Sequence, residues 1–308
     1  MSSPPNNAAV RQWPAVAALV ATAALWSLAG PLIKLLGGMG GVVEPAAGAS
    51  IAFHRSLIGG LFFLPMAWSR RGSLAAVSPA WLIGTVVSFT VMTLCFVVAT
   101  IHTAAANAII LQYTSPIWVF LLSPLLLRER ANITDGAALL LGMLGVGVIF
   151  FGSGGADTFG LVIALLSGVG YGALTVMIRG LRRVHVYVTV SVNCLGSALV
   201  LAPVVVWSGG LSLTPGQLGL IALLGVVQFS APYALFSYAL KRIEAHRAAL
   251  ILLVETIFNP VFTYVTVGEA VPPATLIGGP LILLSVIGWL LLSARQRGAA
   301  RRNAPDTD

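Results

Sequence analysis

The chain is poor in charge. Lys, Arg, Asp and Glu make up 8% of its 308 residues, where an average soluble domain carries about 25%. With 58% hydrophobic residues besides, it could not cover a surface in water, so lipid must be the solvent for most of it. Acids are scarcest: nine, against 17 Lys and Arg, for a net charge of +8 and a pI near 10.2. In a soluble protein that excess would point to nucleic acid. Here it reads as the basic excess on cytoplasmic loops that orients membrane proteins, and no nucleic-acid partner is expected. The only cysteines, Cys95 and Cys194, sit in apolar segments, which excludes a disulfide framework or a cysteine metal motif. The four histidines, His54, His102, His185 and His246, are scattered and form no HExxH spacing. A membrane-embedded enzyme would need a metal cluster or catalytic dyad, and neither is present, so no catalytic residue, metal or cofactor is expected. GVGYG (168–172) lacks the strand–turn–helix context of a phosphate loop and reads as a packing face built on Gly168 and Gly172.

What the chain has instead is long apolar runs. A spanning helix needs about 20 apolar residues, and ten candidates fit: 14–36, 47–68, 79–99, 102–124, 135–152, 158–180, 187–207, 216–238, 245–267 and 272–294. The first is longer than the apolar region of a signal peptide and reads as an uncleaved helix. Connections are short, and only 1–10 and 297–308 look like flexible tails. With both termini cytoplasmic, 15 of the 17 Lys and Arg fall on the cytoplasmic side and none in the opposite loops; the other two, Lys34 and Arg55, lie in or at the end of helices. A wrong helix count would scramble that segregation.

The sequence also repeats. At an offset of 140, Glu129 aligns with Glu269, Phe89 with Phe229, Phe96 with Phe236, and Ala105 with Ala245. At an offset of 145, WSLAGPLIK (26–34) aligns with YGALTVMIR (171–179). The expected fold is therefore all-α and polytopic, with ten transmembrane helices in two five-helix repeats, 14–152 and 158–294. Five is odd, so the second copy inserts upside down. Inverted repeats of this kind mark transporters, with the substrate site near the midplane between the halves.

The LWS at 25–27, the AFHR at 52–55 and AANAIILQYTSPIWVFLLSPLLLRE (105–129), with its counterpart at 233–269, resemble the drug/metabolite transporter superfamily, in particular proteins with two EamA-type domains. The resemblance covers 14–294. It implies a carrier in the inner membrane, monomer or homodimer, exporting amino acids, drugs or other metabolites, with helices one, three, four, six, eight and nine around a central cavity. It also implies that the loop glutamates, Glu129 and Glu269, are a repeated family feature; both read as caps on the helices that follow them. The copies differ at one point. Ser115-Pro116 faces Glu255-Thr256, and the second proline comes later, at Pro260, so a matched kink is not expected.

Polar and aromatic residues at mid-membrane depth give the cavity candidates: Trp26, Ser27, Ser88, Thr93, Gln112, Tyr113, Tyr171, Thr175, Gln228, Tyr233, Glu255 and Asn259. Such a mixture suits a small amphipathic ligand. Glu255 is the one acid deep in a helix and ranks first among ionisable candidates. It could carry a proton, meet a substrate ammonium, or pair with His54 or Arg55 to hold a gate. Arg55 could clamp a carboxylate; the simpler expectation is that it snorkels to the outer interface. Glycines of helices five and ten (Gly136, Gly142, Gly145, Gly147, Gly278, Gly279, Gly288) read as scaffold or dimer surface.

Overall fold

With no water in the bilayer core, backbone N–H and C=O groups must be satisfied within each segment, which leaves helix as the solution for chains of this kind. The computed structural model describes residues 7–39, 47–75, 77–127, 133–153, 158–181, 183–240, 242, 248 and 251–302, and among these there is no strand. The first half contains α1 (Asn7–Trp26), α2 (Ala29–Gly38), α3 (Ala47–Trp68), α4 (Pro79–His102), α5 (Ala105–Gln112), α6 (Ser115–Leu127) and α7 (Ile133–Gly152). The second contains α8 (Thr158–Gly180), α9 (Val186–Trp207), α10 (Pro215–Leu223), α11 (Ala231–Leu240), α12 (Glu255–Val267) and α13 (Pro273–Arg302). Seven spans are long and apolar enough to cross a membrane, and 140–152 and 273–288 are shorter apolar helices. With the helix broken at 253–254, which carries Glu255, they make a polytopic bundle of about ten crossings. Glu129, the start of the ninth expected helix at 245, and residues 1–6 and 303–308 of the tails lie outside the described residues. Helix reaches into both segments expected to be flexible, beginning at Asn7 and running to Arg302; the Ala and Arg of the latter are strong helix formers.

The bundle carries its large apolar side chains outward, as lipid requires: Phe151, Trp207, Leu125 and Leu199 are exposed. Serines, threonines and amides fill much of its interior. Pro79, Pro215 and Pro273 stand at helix starts, where the missing N–H costs nothing. Gly209 ends α9 at φ +71°, with the Gly210 N–H returning to the Val205 carbonyl at 2.9 Å, a turn that few residues other than glycine adopt.

Packing follows a two-fold pattern. Exchanging the halves carries the α4–α8 contact onto α11–α1, and the contacts of α5 and α6 with α8 onto those of α12 with α1 and α2; α3–α9 and α7–α13 map onto themselves. Small residues allow the close approaches. A Cβ added at Gly145 would lie 2.6 Å from the Gly278 carbonyl, and one at Gly278 would lie 2.5 Å from the Gly145 carbonyl. Gly145 and Gly278 therefore face each other at this crossing, as scaffold. Gly168 and Gly172 press against Thr114 and Trp118, which seats the fourth helix on α8.

That fourth helix is broken at 113–114, and the ninth is broken at 253–254, positions related by the same 140 residues. The expectation of an unmatched kink is corrected here. Each break carries a threonine back-bond, and in the fourth helix Pro116, lacking an N–H, also denies the Gln112 carbonyl its helical donor. The Thr114 hydroxyl donates to the Leu111 carbonyl at 2.6 Å, and the Thr256 hydroxyl to the Leu253 carbonyl at 2.7 Å; such back-bonding bends helices. A third break, at 27–28, splits the first helix. Between α10 and α11 the chain widens into a π turn (Leu224–Ser230), just before Pro232, whose missing N–H denies the Gln228 carbonyl its helical donor.

Candidate functional site

The three breaks meet. Because Glu255 is the first residue of α12, its carboxylate stands at a helix N-terminus, where the dipole favours an anion. It accepts a hydrogen bond from the Tyr113 hydroxyl at 2.8 Å, and that hydroxyl is also 3.3 Å from the Leu252 carbonyl. Tyr113 is the residue at which the fourth helix breaks, so this bond joins the two equivalent breaks across the halves. The Ser27 hydroxyl, in the break of helix one, donates to the Ala23 carbonyl at 2.6 Å and lies 3.3 Å from the Glu255 carbonyl. Asn259 donates to the Ser27 carbonyl at 3.3 Å and packs against Gly30, where a Cβ would come within 2.6 Å of its side-chain oxygen. Gln228, in the π turn, donates to the Trp26 carbonyl at 3.1 Å. The Trp26 ring meets Tyr233 edge-on, with centroids 5.4 Å apart. Tyr171 and Tyr233 are within electrostatic range of Glu255.

Arg55 forms the other pole. It is not at the interface: only 4% of it is exposed, so the snorkelling expectation is corrected. It lies between α4 and the π turn, where it donates to the Thr93 hydroxyl and its guanidinium lies 5.4 Å from the centroid of the Phe229 ring. Phe229 in turn meets Tyr233 at 5.3 Å and Phe89, its repeat partner, at 6.0 Å. Neither Arg55 nor His54 pairs with Glu255 among the described residues. The His54 ring stays on its own helix, 2.9 Å from the Ser50 carbonyl and edge-on to Phe53. A charge pair of His54 or Arg55 with Glu255 is therefore not what the structure holds.

Of the remaining candidates, Gln112 donates to Ser167, whose hydroxyl continues to the Met92 carbonyl, tying α5 to α8 and α4. Thr175 donates to the Tyr171 carbonyl one turn back. Ser88 is buried on α4. Sequence reading missed Phe229 and Ser167. The Phe89–Phe229 match was the available signal for the first; Ser167, a lone serine in an apolar run, offered none.

A second polar cluster closes one end of the bundle. Lys34 and Glu269 form an ion pair at 2.6 Å, and Lys34 also donates to the Thr103 carbonyl at 2.8 Å. The other Glu269 oxygen accepts the Ala105 N–H at 2.7 Å. Glu269 thus caps a helix, but α5 of the opposite half rather than the helix that follows it, because the 102–105 joint is brought beside the α12–α13 loop. No group of three or more His, Cys, Asp or Glu among the described residues could hold a metal.

This arrangement of two matched halves agrees with what the chain resembles. The EamA-like transporter family matches residues 13–151 and 158–291. An uncharacterized transporter of Archaeoglobus fulgidus is 30% identical over 243 residues, covering 78% of this chain and 86% of its own. The pseudopaline exporter CntI of Pseudomonas aeruginosa PA14 is 28% identical over 257 residues, covering 81% and 87%. A solved crystal structure superposes with a TM-score of 0.60 at 21% identity, over 92% of this chain and 99% of that one, a likeness of fold alone. The chain belongs to the EamA-like transporter family of the drug/metabolite transporter superfamily, and is a multi-pass membrane transporter.

Proposed function

We propose that the protein exports small amphipathic metabolites, amino acids foremost, across the inner membrane by alternating access through a cavity between its halves, with both termini cytoplasmic. The observation that carries this is the Tyr113–Glu255 hydrogen bond. It sets the one buried acid among the described residues at the start of a half-helix, on the seam between the repeats, where broken helices of inverted-repeat transporters hold their substrates. The aromatic residues beside it, Trp26, Tyr233 and Phe229, give the apolar part of a ligand a surface. In the orientation set by the basic loops, Lys34, Glu269 and Ala105 close the outer end as a gate.

The test is transport by purified protein in liposomes, on a panel of the twenty amino acids, with and without a proton gradient. Accumulation or counterflow of at least one amino acid is expected; none moving would refute the reading. Likeness to the pseudopaline exporter favours a second reading, carriage of another metabolite by the same fold. Adding pseudopaline to the panel separates the two.

A further inference from the structure

Among the described residues Arg55 has no counter-ion. A guanidinium offers five N–H donors and keeps its charge in proteins, and within a membrane such a group is expensive unless an anion or water meets it. Yet Arg55, 96% buried, has among the described residues Thr93 as its one side-chain hydrogen-bond partner, and its Nε has none. The Lys34–Glu269 bridge is the ion pair among the described residues. Glu255 is an acid whose side-chain hydrogen-bond partner is a neutral phenol. Nearby, the Gln228 carbonyl oxygen is buried with no donor, its amide nitrogen being spent on Trp26. Tyr233 lies within electrostatic range of both Arg55 and Glu255, and Phe229 and Trp26 flank its ring. A run of rings, Phe229, Tyr233 and Trp26, leads from Arg55 to the break that holds Ser27 and Glu255, and the two opposite charges form no ion pair among the described residues. An unmet donor, Arg55 Nε, stands at one end of that run, and an unmet acceptor, the Gln228 side-chain oxygen, beside the other.

We infer that Arg55 is a carboxylate-binding residue, and that the site takes zwitterions: the substrate carboxylate on the Arg55 guanidinium, its ammonium on Glu255 and the Gln228 carbonyl, its apolar part along Phe229, Tyr233 and Trp26. This deepens the export reading above and rests on it for the route, though not for the binding. Guanidinium is suited to the anionic end because its planar fork matches a carboxylate at two points, which an ammonium cannot do. Keeping the two charges apart in the empty protein gives selectivity. A ligand bearing one charge would leave the opposite pole buried and unmet, and an unmet buried charge weakens binding strongly.

The experiment compares L-phenylalanine, L-phenylalaninamide and 3-phenylpropionate as probes, by counterflow in proteoliposomes and by thermal stabilisation of detergent-purified protein. Wild type should bind phenylalanine at least about tenfold more tightly than either one-charge analogue. Arg55→Gln should reduce phenylalanine to the level of the amide and leave the amide within about twofold, with Arg55→Lys intermediate. Glu255→Gln should do the converse, weakening phenylalanine and sparing 3-phenylpropionate. If Arg55→Gln does not fold, the wild-type series still decides: equal handling of amide and amino acid overturns the assignment while leaving export intact. Arg55-dependent stabilisation by 3-phenylpropionate, with no transport of any amino acid, would instead overturn export and keep the anion site.

Discussion

The Gly145–Gly278 crossing gives a prediction with a calculable size. Alanine at Gly145 places a Cβ 2.6 Å from the Gly278 carbonyl oxygen and 2.8 Å from the Ile282 side chain. Ile282 can rotate; a backbone carbonyl cannot. To reach an ordinary 3.4 Å contact, α7 and α13 must part by roughly 0.8 Å, a gap that forfeits a quarter to a half of each dispersion well along the crossing. At about 0.1–0.2 kcal/mol per atom pair over some tens of pairs, this amounts to about 1–3 kcal/mol, the usual range for overpacking. Alanine recovers up to about 1 kcal/mol of helix propensity, so Gly145→Ala should lose about 1–2 kcal/mol net. Gly147 is the control on the same helix, because a Cβ there meets nothing within 4 Å; Gly147→Ala should be neutral or slightly stabilising. Gly278→Ala should cost about as much as Gly145→Ala. The double variant should cost less than the sum, since one separation admits both methyls. Heating purified protein and measuring the monodisperse fraction by size exclusion reads all four. Equal survival of Gly145→Ala and Gly147→Ala, or strict additivity in the double variant, would refute the argument.

The outer cluster and the first break give two further tests. Glu269→Gln keeps an oxygen for the Ala105 N–H and removes only the ion pair, whose side chains are 19% and 24% exposed. At about 1–2 kcal/mol for a partly buried pair, the outward-open population should rise roughly tenfold. An impermeant maleimide should then label a cysteine at Thr175 faster from outside, in a background lacking Cys95 and Cys194; an unchanged rate would remove the gate. Ser27 is fully buried, with its hydroxyl at the Glu255 carbonyl, whereas Thr175 is half-buried. Ser27→Phe should therefore abolish folded protein on size exclusion, and Thr175→Phe should leave it folded and reduce transport. A well-folded Ser27→Phe would show that the break tolerates bulk.

Periodic and compositional features were legible in the sequence. Apolar runs, basic loops and the 140-residue offset specify the crossings and their pairing, because lipid imposes those patterns on every spanning helix. The glycine faces of 142–147 and 168–172 were legible too, for close approach leaves few other residues possible. What escaped was local. The break at 253–254 is accompanied by a threonine hydroxyl back-bonding one turn down, and a threonine in an apolar run looks the same whether or not it does so. Arg55 stood out as a charge, but its direction depends on which neighbours α3 meets, and only the packed bundle shows Thr93 and Phe229 there. Glu269 was recognised as a cap; its client, Ala105, lies 164 residues away.

That separation has a meaning in time. A chain made at about 5–20 residues per second presents Ala105 to the membrane about 8–30 seconds before residue 269 exists, and Lys34 waits longer still. Throughout that interval the newborn first half holds an uncapped helix start and an unmatched ammonium at its rim. Inserted alone, it is an unfinished object. Its rim is completed by a carboxylate from the α12–α13 loop, made long after the helix start and the ammonium that it serves.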